Sequence, residues 1–239
     1  MRSIRYCARL AARGAAIIFL VSLLLSLVAG GMHDHSLRFF LIIFSASLAA
    51  TMFSIDPGLA EERSRSFHNA TTAERFAASA CFLATLVLAA LDVGRLHWFD
   101  SVSGKLRVSG LLLFAAAAAL QLWAMIANPF FSPEIRLQSE RGHQVVTGGP
   151  YHFLRHPGYF AMLISVPAGA LAIGSWLALL PAASFCLVIL RRVRAEEDFL
   201  NRNLPGYGTY IRQVPGRLLP HVKLQRNGLA ALRALATRK

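Results

Sequence analysis

The chain has 239 residues, 55% of them hydrophobic and only 15% charged, with a mean hydropathy of +0.49. That balance excludes a soluble domain of this size and calls for a membrane protein. The net charge of +13 sits at the flanks of apolar stretches and in the C-terminal tail, without a recognisable nucleic-acid fold motif. Anionic lipid headgroups, not nucleic acid, are therefore the expected partner.

The N-terminus, MRSIRYCARLAARGAAIIFLVSLLLSLVAGG, resembles a signal peptide. Its apolar run is long and lacks a clean small-x-small cleavage site, so it is expected to remain as a first helix. Runs free of Asp, Glu, Lys and Arg follow one another: 19 residues from Gly14 to Met32, 17 from Phe39 to Ile55, 16 from Phe76 to Leu91 and 26 from Val108 to Pro133. Each is near the ~20 residues a spanning helix needs, which gives four spans. The last such block, His156 to Leu190, has 35 residues, too many for one crossing. Gly174-Ser175 at its middle predicts a tight helical hairpin. Each arm of roughly 16 residues would reach about 24 Å, so the hairpin would cross thinly or sit between other helices.

With a cytoplasmic N-terminus and six crossings, 21 of the 25 Lys and Arg residues fall on the inner side, and the outer loops keep Arg38, Arg95, Lys105 and Arg107. The positive-inside rule supports that arrangement. A hairpin that merely re-enters leaves the same segments inside. The expected fold is thus an all-α integral membrane protein of about six transmembrane helices, the last two a tight hairpin, with both termini and a C-terminal cofactor-binding segment in the cytoplasm. An Arg-rich, Ala-rich composition suggests a bacterial inner membrane. Cys7, Cys81 and Cys186 are scattered in mostly apolar sequence and suggest neither a disulfide framework nor a zinc site. The tail KLQRNGLAALRALATRK carries Leu229, Leu232 and Leu235 among basic residues, as a helix lying on the inner leaflet would. No repeat or low-complexity linker divides the chain, which reads as one domain: N-terminal helices over 1–107, a core over 108–222 and a basic tail over 223–239.

Polar chemistry is left to two inner segments, NPFFSPEIRLQSERGHQVVTGGPYHFLRHPGY (128–159) and RRVRAEEDFLNRNLPGYGTYIRQVPGRLLP (191–220). In the first, Pro150 and Pro157 disfavour a continuous helix, and Gly148 and Gly149 permit close backbone approach to a ligand. No G-x-G-x-x-G follows a strand, so a soluble Rossmann-type site is absent. His152 and His156 stand four apart, but Pro157 and the missing carboxylate or thiolate partners argue against a metal. Taken singly, Arg155 reads as a snorkelling arginine and Tyr151 and Tyr159 as an aromatic belt. Arg192 with Glu196, and Arg194 with Asp198, read as helix-surface pairs worth ~0.3–0.5 kcal/mol each, in the less favourable order of Arg before the acid.

Taken together, the two segments resemble the isoprenylcysteine carboxyl methyltransferase family and its bacterial relatives, which share a membrane-embedded fold with phospholipid N-methyltransferases. The resemblance covers roughly residues 108–220. Its marks are the Asn128-x-Phe-Phe-Ser start, Arg141-Gly142-His143, Gly149-Pro150-Tyr151, Arg155-His156-Pro157-x-Tyr159, Glu196-Glu197 with Leu200, and Leu204-Pro205-Gly206-Tyr207 with Tyr210. The resemblance implies S-adenosylmethionine as methyl donor, released as S-adenosylhomocysteine, and a lipid-like or prenylated acceptor that enters from the bilayer. It implies Gln138, His143, Gly149, Tyr151, Arg155, His156, Pro157, Tyr159 and Glu196 around the donor. Arg192, Glu197 and Arg155 match the family's catalytic positions.

A carboxylate acceptor has a pKa near 4 and needs no general base; an arginine suits holding it, and Glu197 could orient that arginine or the cofactor. A phospholipid amine would have to lose a proton and would recast Glu197 or His156 as a base. An NADPH-dependent membrane reductase of the same fold and a non-enzymatic scaffold or transporter are the other readings. The last is disfavoured because the spans hold almost no ionisable residues for a polar path.

Overall fold

The computed structural model describes residues 2–54, 58–59 and 73–219, with side chains from residue 11 onward. Its regular elements are helical throughout the described residues: α1 (Arg2–Ala29), α2 (His35–Ser54), α3 (Ala73–Leu91), α4 (Gly104–Ala127), α5 (Pro157–Ile173), α6 (Leu179–Asn203) and α7 (Tyr207–Gln213). Four stretches, Ala11–Ala29, His35–Ser54, Ala73–Leu96 and Gly104–Ala127, are long and apolar enough to cross a membrane, and they coincide with the four charge-free runs. Large apolar side chains such as Phe19, Leu27, Ile42 and Leu112 point outward from them. A bilayer supplies the apolar surroundings that such faces need. The basic tail, and the segment holding Arg63 and Arg65, lie outside the described residues.

The expected hairpin is present. Gly174 closes α5 in the left-handed region, φ 113°, and its N–H donates to the Ala170 carbonyl at 3.0 Å. The two arms differ: α5 has 17 residues, while α6 has 25 and continues past Leu190. Arg192, Glu196 and Glu197 therefore ride on one rigid helix that begins in the apolar hairpin. Against the hairpin packs α4, brought close by small residues. A Cβ on Gly110 would come within 2.7 Å of the Ala172 backbone nitrogen, and Ala117, Ala168 and Ala172 are buried nearby. Without water to drive association, such close backbone approach is how membrane helices gain contact.

The end of the bundle remote from the polar loops is tied by three charged groups. After α3 the helix widens into one π-turn, Asp92–Leu96, and Arg95 donates from Nε to Val28 O at 2.8 Å and from Nη2 to Leu27 O at 3.0 Å. These bonds cap carbonyls in the last turn of α1, where the Val28 carbonyl has no intrahelical partner. The wholly buried Asp92 accepts from Trp98 N and Phe99 N, both at 3.0 Å, and from Ser175 Oγ at 2.5 Å. Arg107 reaches Asp34 Oδ2 at 3.2 Å and Asp100 O at 2.9 Å. The starts of α2 and α4 and the hairpin turn are thereby fixed, leaving the opposite end open for chemistry.

Candidate active site

At that opposite end a loop from Asn128 to His156 replaces regular helix. Asn128 ends α4: its Oδ1 accepts from Phe130 N at 2.8 Å and its Nδ2 donates to Tyr151 OH at 3.2 Å. Gln138 is buried and committed at both ends of its amide, donating from Nε2 to Phe130 O at 2.9 Å and accepting from Arg141 Nη1 at 2.6 Å. His143 stacks on Phe130 with ring centroids 4.5 Å apart, and its Nδ1 accepts from Gln138 N at 3.3 Å. Accepting at Nδ1 fixes the proton of a neutral ring on Nε2. Burial, then Arg136 and Arg141, hold its pKa below the ordinary histidine value. Both residues thus build the wall of the loop.

Gly149 opens a short 3₁₀ turn, Gly149–His152, that brings Tyr151 inward. Its φ is 59°, and a Cβ there would lie 3.0 Å from Ala127 Cβ and 3.2 Å from Trp123 Nε1. Glycine is needed here for both backbone angle and space. Pro157 starts α5 and is fully buried. Neither residue lines the cavity; they place the ones that do.

Arg155, His156 and Glu197 are buried. Arg155 donates from Nε to Glu197 Oε1 at 2.7 Å and from Nη1 to Val214 O at 2.6 Å. The other Glu197 oxygen faces Arg217 Nε. Backbone bonds run alongside, from Arg155 N to Gly216 O at 2.9 Å and from His156 N to Arg217 O at 3.1 Å. The segment after α7 is thereby stitched across the Arg155-His156 pair. Glu197 stands behind Arg155 and does not line the cavity. Tyr210 OH donates to Tyr151 O at 2.7 Å, and Tyr207 OH lies 3.5 Å from His156 Nε2. Burial first, then the charges of Arg155 and Arg217, push the His156 pKa down to about 3. Its imidazole is neutral.

A second chain of contacts runs through the neighbouring acid. Arg192, buried on α6, donates from Nε to Tyr159 OH at 2.9 Å and from Nη2 to the Pro133 carbonyl; Tyr159 OH donates to Glu196 Oε2 at 2.5 Å. The expected surface pair of Arg192 with Glu196 is replaced by this relay through a tyrosine. Adjacent glutamates on one helix therefore serve different arginines.

One cavity of about 1230 Å³ joins these groups. Gln138, His143, Tyr151, Arg155, His156, Tyr159, Arg192 and Glu196 line its polar end, and Phe44, Phe82, Phe114 and Phe185 its apolar part. Helices α1–α3 contribute to the wall as well, through residues such as Ile17, Leu48 and Ser79. Arg217 escaped the sequence reading. It follows Pro215-Gly216 in irregular backbone, and its partner is distant in sequence. Tyr207 and Tyr210 were visible only as parts of a motif. Among the described residues, no three His, Cys, Asp or Glu side chains gather as metal ligands.

Fold and site together define an integral membrane protein of apolar helices with a charged, buried lip over an apolar chamber. Residues 110–202, from within α4 to the end of α6, match the isoprenylcysteine carboxyl methyltransferase (ICMT) family, a family of membrane methyltransferases. Two curated bacterial relatives are similar. One is the nickel-cobalt-cadmium resistance protein NccN of Alcaligenes xylosoxydans xylosoxydans, 29% identical over 145 residues, which cover 60% of this chain and 63% of the relative. The other is the cobalt-zinc-cadmium resistance protein CzcN of Cupriavidus metallidurans, 28% identical over 175 residues, covering 72% and 76%. A rice protein named "Probable protein-S-isoprenylcysteine O-methyltransferase" is 29% identical over 124 residues, covering 51% of this chain and 56% of its own length. The similarity thus spans less than two thirds of NccN and of the rice protein.

Proposed function

We propose that the protein transfers a methyl group from S-adenosylmethionine to a lipid-like acceptor, and that the reacting group of the acceptor is a carboxylate. The observation that carries this reading is the single cavity in which a buried polar lip opens onto an aromatic, apolar chamber. A soluble donor and a membrane-dissolved acceptor need such a meeting place.

The lip suits the donor chemically. Tyr151 and Tyr207 offer ring faces and the neutral His156 a ring nitrogen, which fits an aromatic base and a sulfonium cation. When bound, the donor supplies an electrophilic methyl group. The protein's share is to hold the acceptor, align it and keep water out. Arg192 fits the holding role: Nε and Nη2 are engaged by Tyr159 and Pro133, which orients the guanidinium and leaves Nη1 for an acceptor oxygen. Arg155 and Glu197 act as positioning residues that fix His156 and the overlying 214–217 segment.

An amine acceptor would need a base. His156, with its pKa near 3, is a weak one, and Glu197 is taken up by two arginines. Glu196 already accepts from Tyr159. These engagements favour an acceptor ionised before it binds. The same reading places the lip, both termini and the donor on the cytoplasmic side, with the hairpin completing six crossings. The test is to incubate membranes containing the protein with radiolabelled donor and treat the lipid and protein fractions with mild base. Methanol release marks an ester; base-stable label in lipid headgroups would replace the carboxylate with an amine. No transfer, with S-adenosylhomocysteine failing to bind the folded protein, would overturn the methyltransferase reading.

A further inference from the structure

In the apolar sequence of α4, LLLFAAAAALQLWAMIA, one residue is a primary amide. Gln121 lines the cavity on the same helical face as Phe114, Ala118 and Met125. It lies seven residues from Asn128, so on the order of 10 Å below the lip. Three hydroxyls in this wall, those of Ser47, Thr51 and Ser165, are satisfied by their own helices. Ser47 Oγ donates to Ile43 O at 2.7 Å, Thr51 Oγ1 to Ser47 O at 2.9 Å and Ser165 Oγ to Met162 O at 3.3 Å. Gln121 makes no such bond to its own helix, nor to any other group among the described residues. An amide without a partner at membrane depth is costly, and polar residues retained there mark ligand paths.

We infer that Gln121 is a specificity-determining residue that hydrogen-bonds a polar group part-way along the acceptor, a hydroxyl, carbonyl or amide about 10 Å from the lip. The inference rests on the lipid-acceptor reading and narrows it. An unbroken hydrocarbon or prenyl tail offers Gln121 nothing and leaves its amide stranded. A chain interrupted by an oxygen or nitrogen function satisfies it and is selected over plain chains. The apolar floor formed by Phe44, Phe82 and Phe114 then takes the tail beyond that group.

Two probes test this: hexadecanoate, and hexadecanoate bearing a hydroxyl on its ninth carbon. Each is titrated by thermal shift against detergent-purified full-length protein. Wild type should favour the hydroxylated probe by roughly 3- to 10-fold relative to a Gln121→Leu variant, the preference one hydrogen bond commands. Comparing the ratio of affinities between the two proteins cancels the difference in micelle partition of the probes. Gln121→Met, unbranched like glutamine, is run in parallel and replaces the leucine variant if that one does not fold. An unchanged ratio in the variants would overturn the inference, leaving cavity water as the amide's partner. Titration with S-adenosylhomocysteine separates the two claims. Loss of discrimination with donor-product binding intact supports the handle, whereas discrimination without such binding would sink the methyltransferase reading alone.

Discussion

Arg155 and Glu197, separated by 42 positions, form an ion pair in which Arg155 Nε and Nη2 both stand 2.7 Å from the same Glu197 oxygen. Both residues are buried, so neither charge has water to fall back on. Removing one partner of such a pair costs about 3–5 kcal/mol, because it strands the other. Glu197→Gln should therefore lower the unfolding free energy by an amount of that order and loosen the 214–217 segment, which Arg155 also holds through Val214 O. Arg155→Lys keeps the charge but cannot reach both acceptors, and should fall between. Denaturation in detergent measures each; a Glu197→Gln protein as stable as wild type would contradict the arrangement.

Gly149 and Gly142 provide an internally controlled test of the loop. Both have positive φ, 59° and 65°, yet a Cβ at Gly142 meets nothing within 4 Å while one at Gly149 meets Ala127 and Trp123. Gly142→Ala should cost only the backbone term, about 1–2 kcal/mol. Gly149→Ala should cost more and should also displace Tyr151, two residues on. The check is thermal denaturation of both variants beside S-adenosylhomocysteine titration; equal losses would mean the Gly149 contact yields freely.

How much of this was legible in the sequence depended on the range of the interaction. Helix spans and the Gly174 turn follow from local apolarity and a single glycine, and they appear where expected. The lip was legible only through a motif, because the contacts that define it are long-range. Nothing local distinguishes Glu196 from Glu197, yet one faces Tyr159 and the other Arg155. That division depends on where α6 meets α5 and the segment after α7. Arg217 was missed for the same reason. Gln121 did carry a local signal, an amide in an apolar helix, but its meaning needed the cavity.

His156 should leave a signature in the pH dependence of stability. Burial and the nearby arginines hold its folded pKa at about 3, below the ~6.5 of an unfolded histidine. Between those values the unfolded chain binds a proton that the folded one does not, so this group's contribution is complete above pH ~6.5 and is lost progressively as pH falls toward 3. The slope approaches ~1.4 kcal/mol per pH unit inside that window. Comparing His156→Gln with wild type over pH 4 to 8 isolates it. A variant whose stability falls with acid as steeply as wild type would show that His156 is not the group responsible.

Arg192 tests whether acceptor and donor are held separately. If its guanidinium grips an acceptor carboxylate, Arg192→Lys keeps the charge but loses the planar geometry that now spans Tyr159 OH and the Pro133 carbonyl. A lost charge-assisted hydrogen bond costs about 1.5–3 kcal/mol, which is roughly ten- to more than a hundred-fold in kcat/KM. Affinity for S-adenosylhomocysteine should barely move. Tyr159→Phe removes the anchor of Nε while sparing the rest of the guanidinium, so it should lower kcat/KM in the same direction by less. The measurement is methyl-transfer kinetics on membrane lipid extract, with cofactor-product titration of the same variants. Unchanged kinetics in Arg192→Lys would refute the carboxylate clamp, since an arginine acting only through packing tolerates lysine. A parallel collapse of S-adenosylhomocysteine binding would instead assign Arg192 to the donor, and the search for the acceptor's anchor would move to the other arginines of the lip that line the cavity, Arg136 and Arg155.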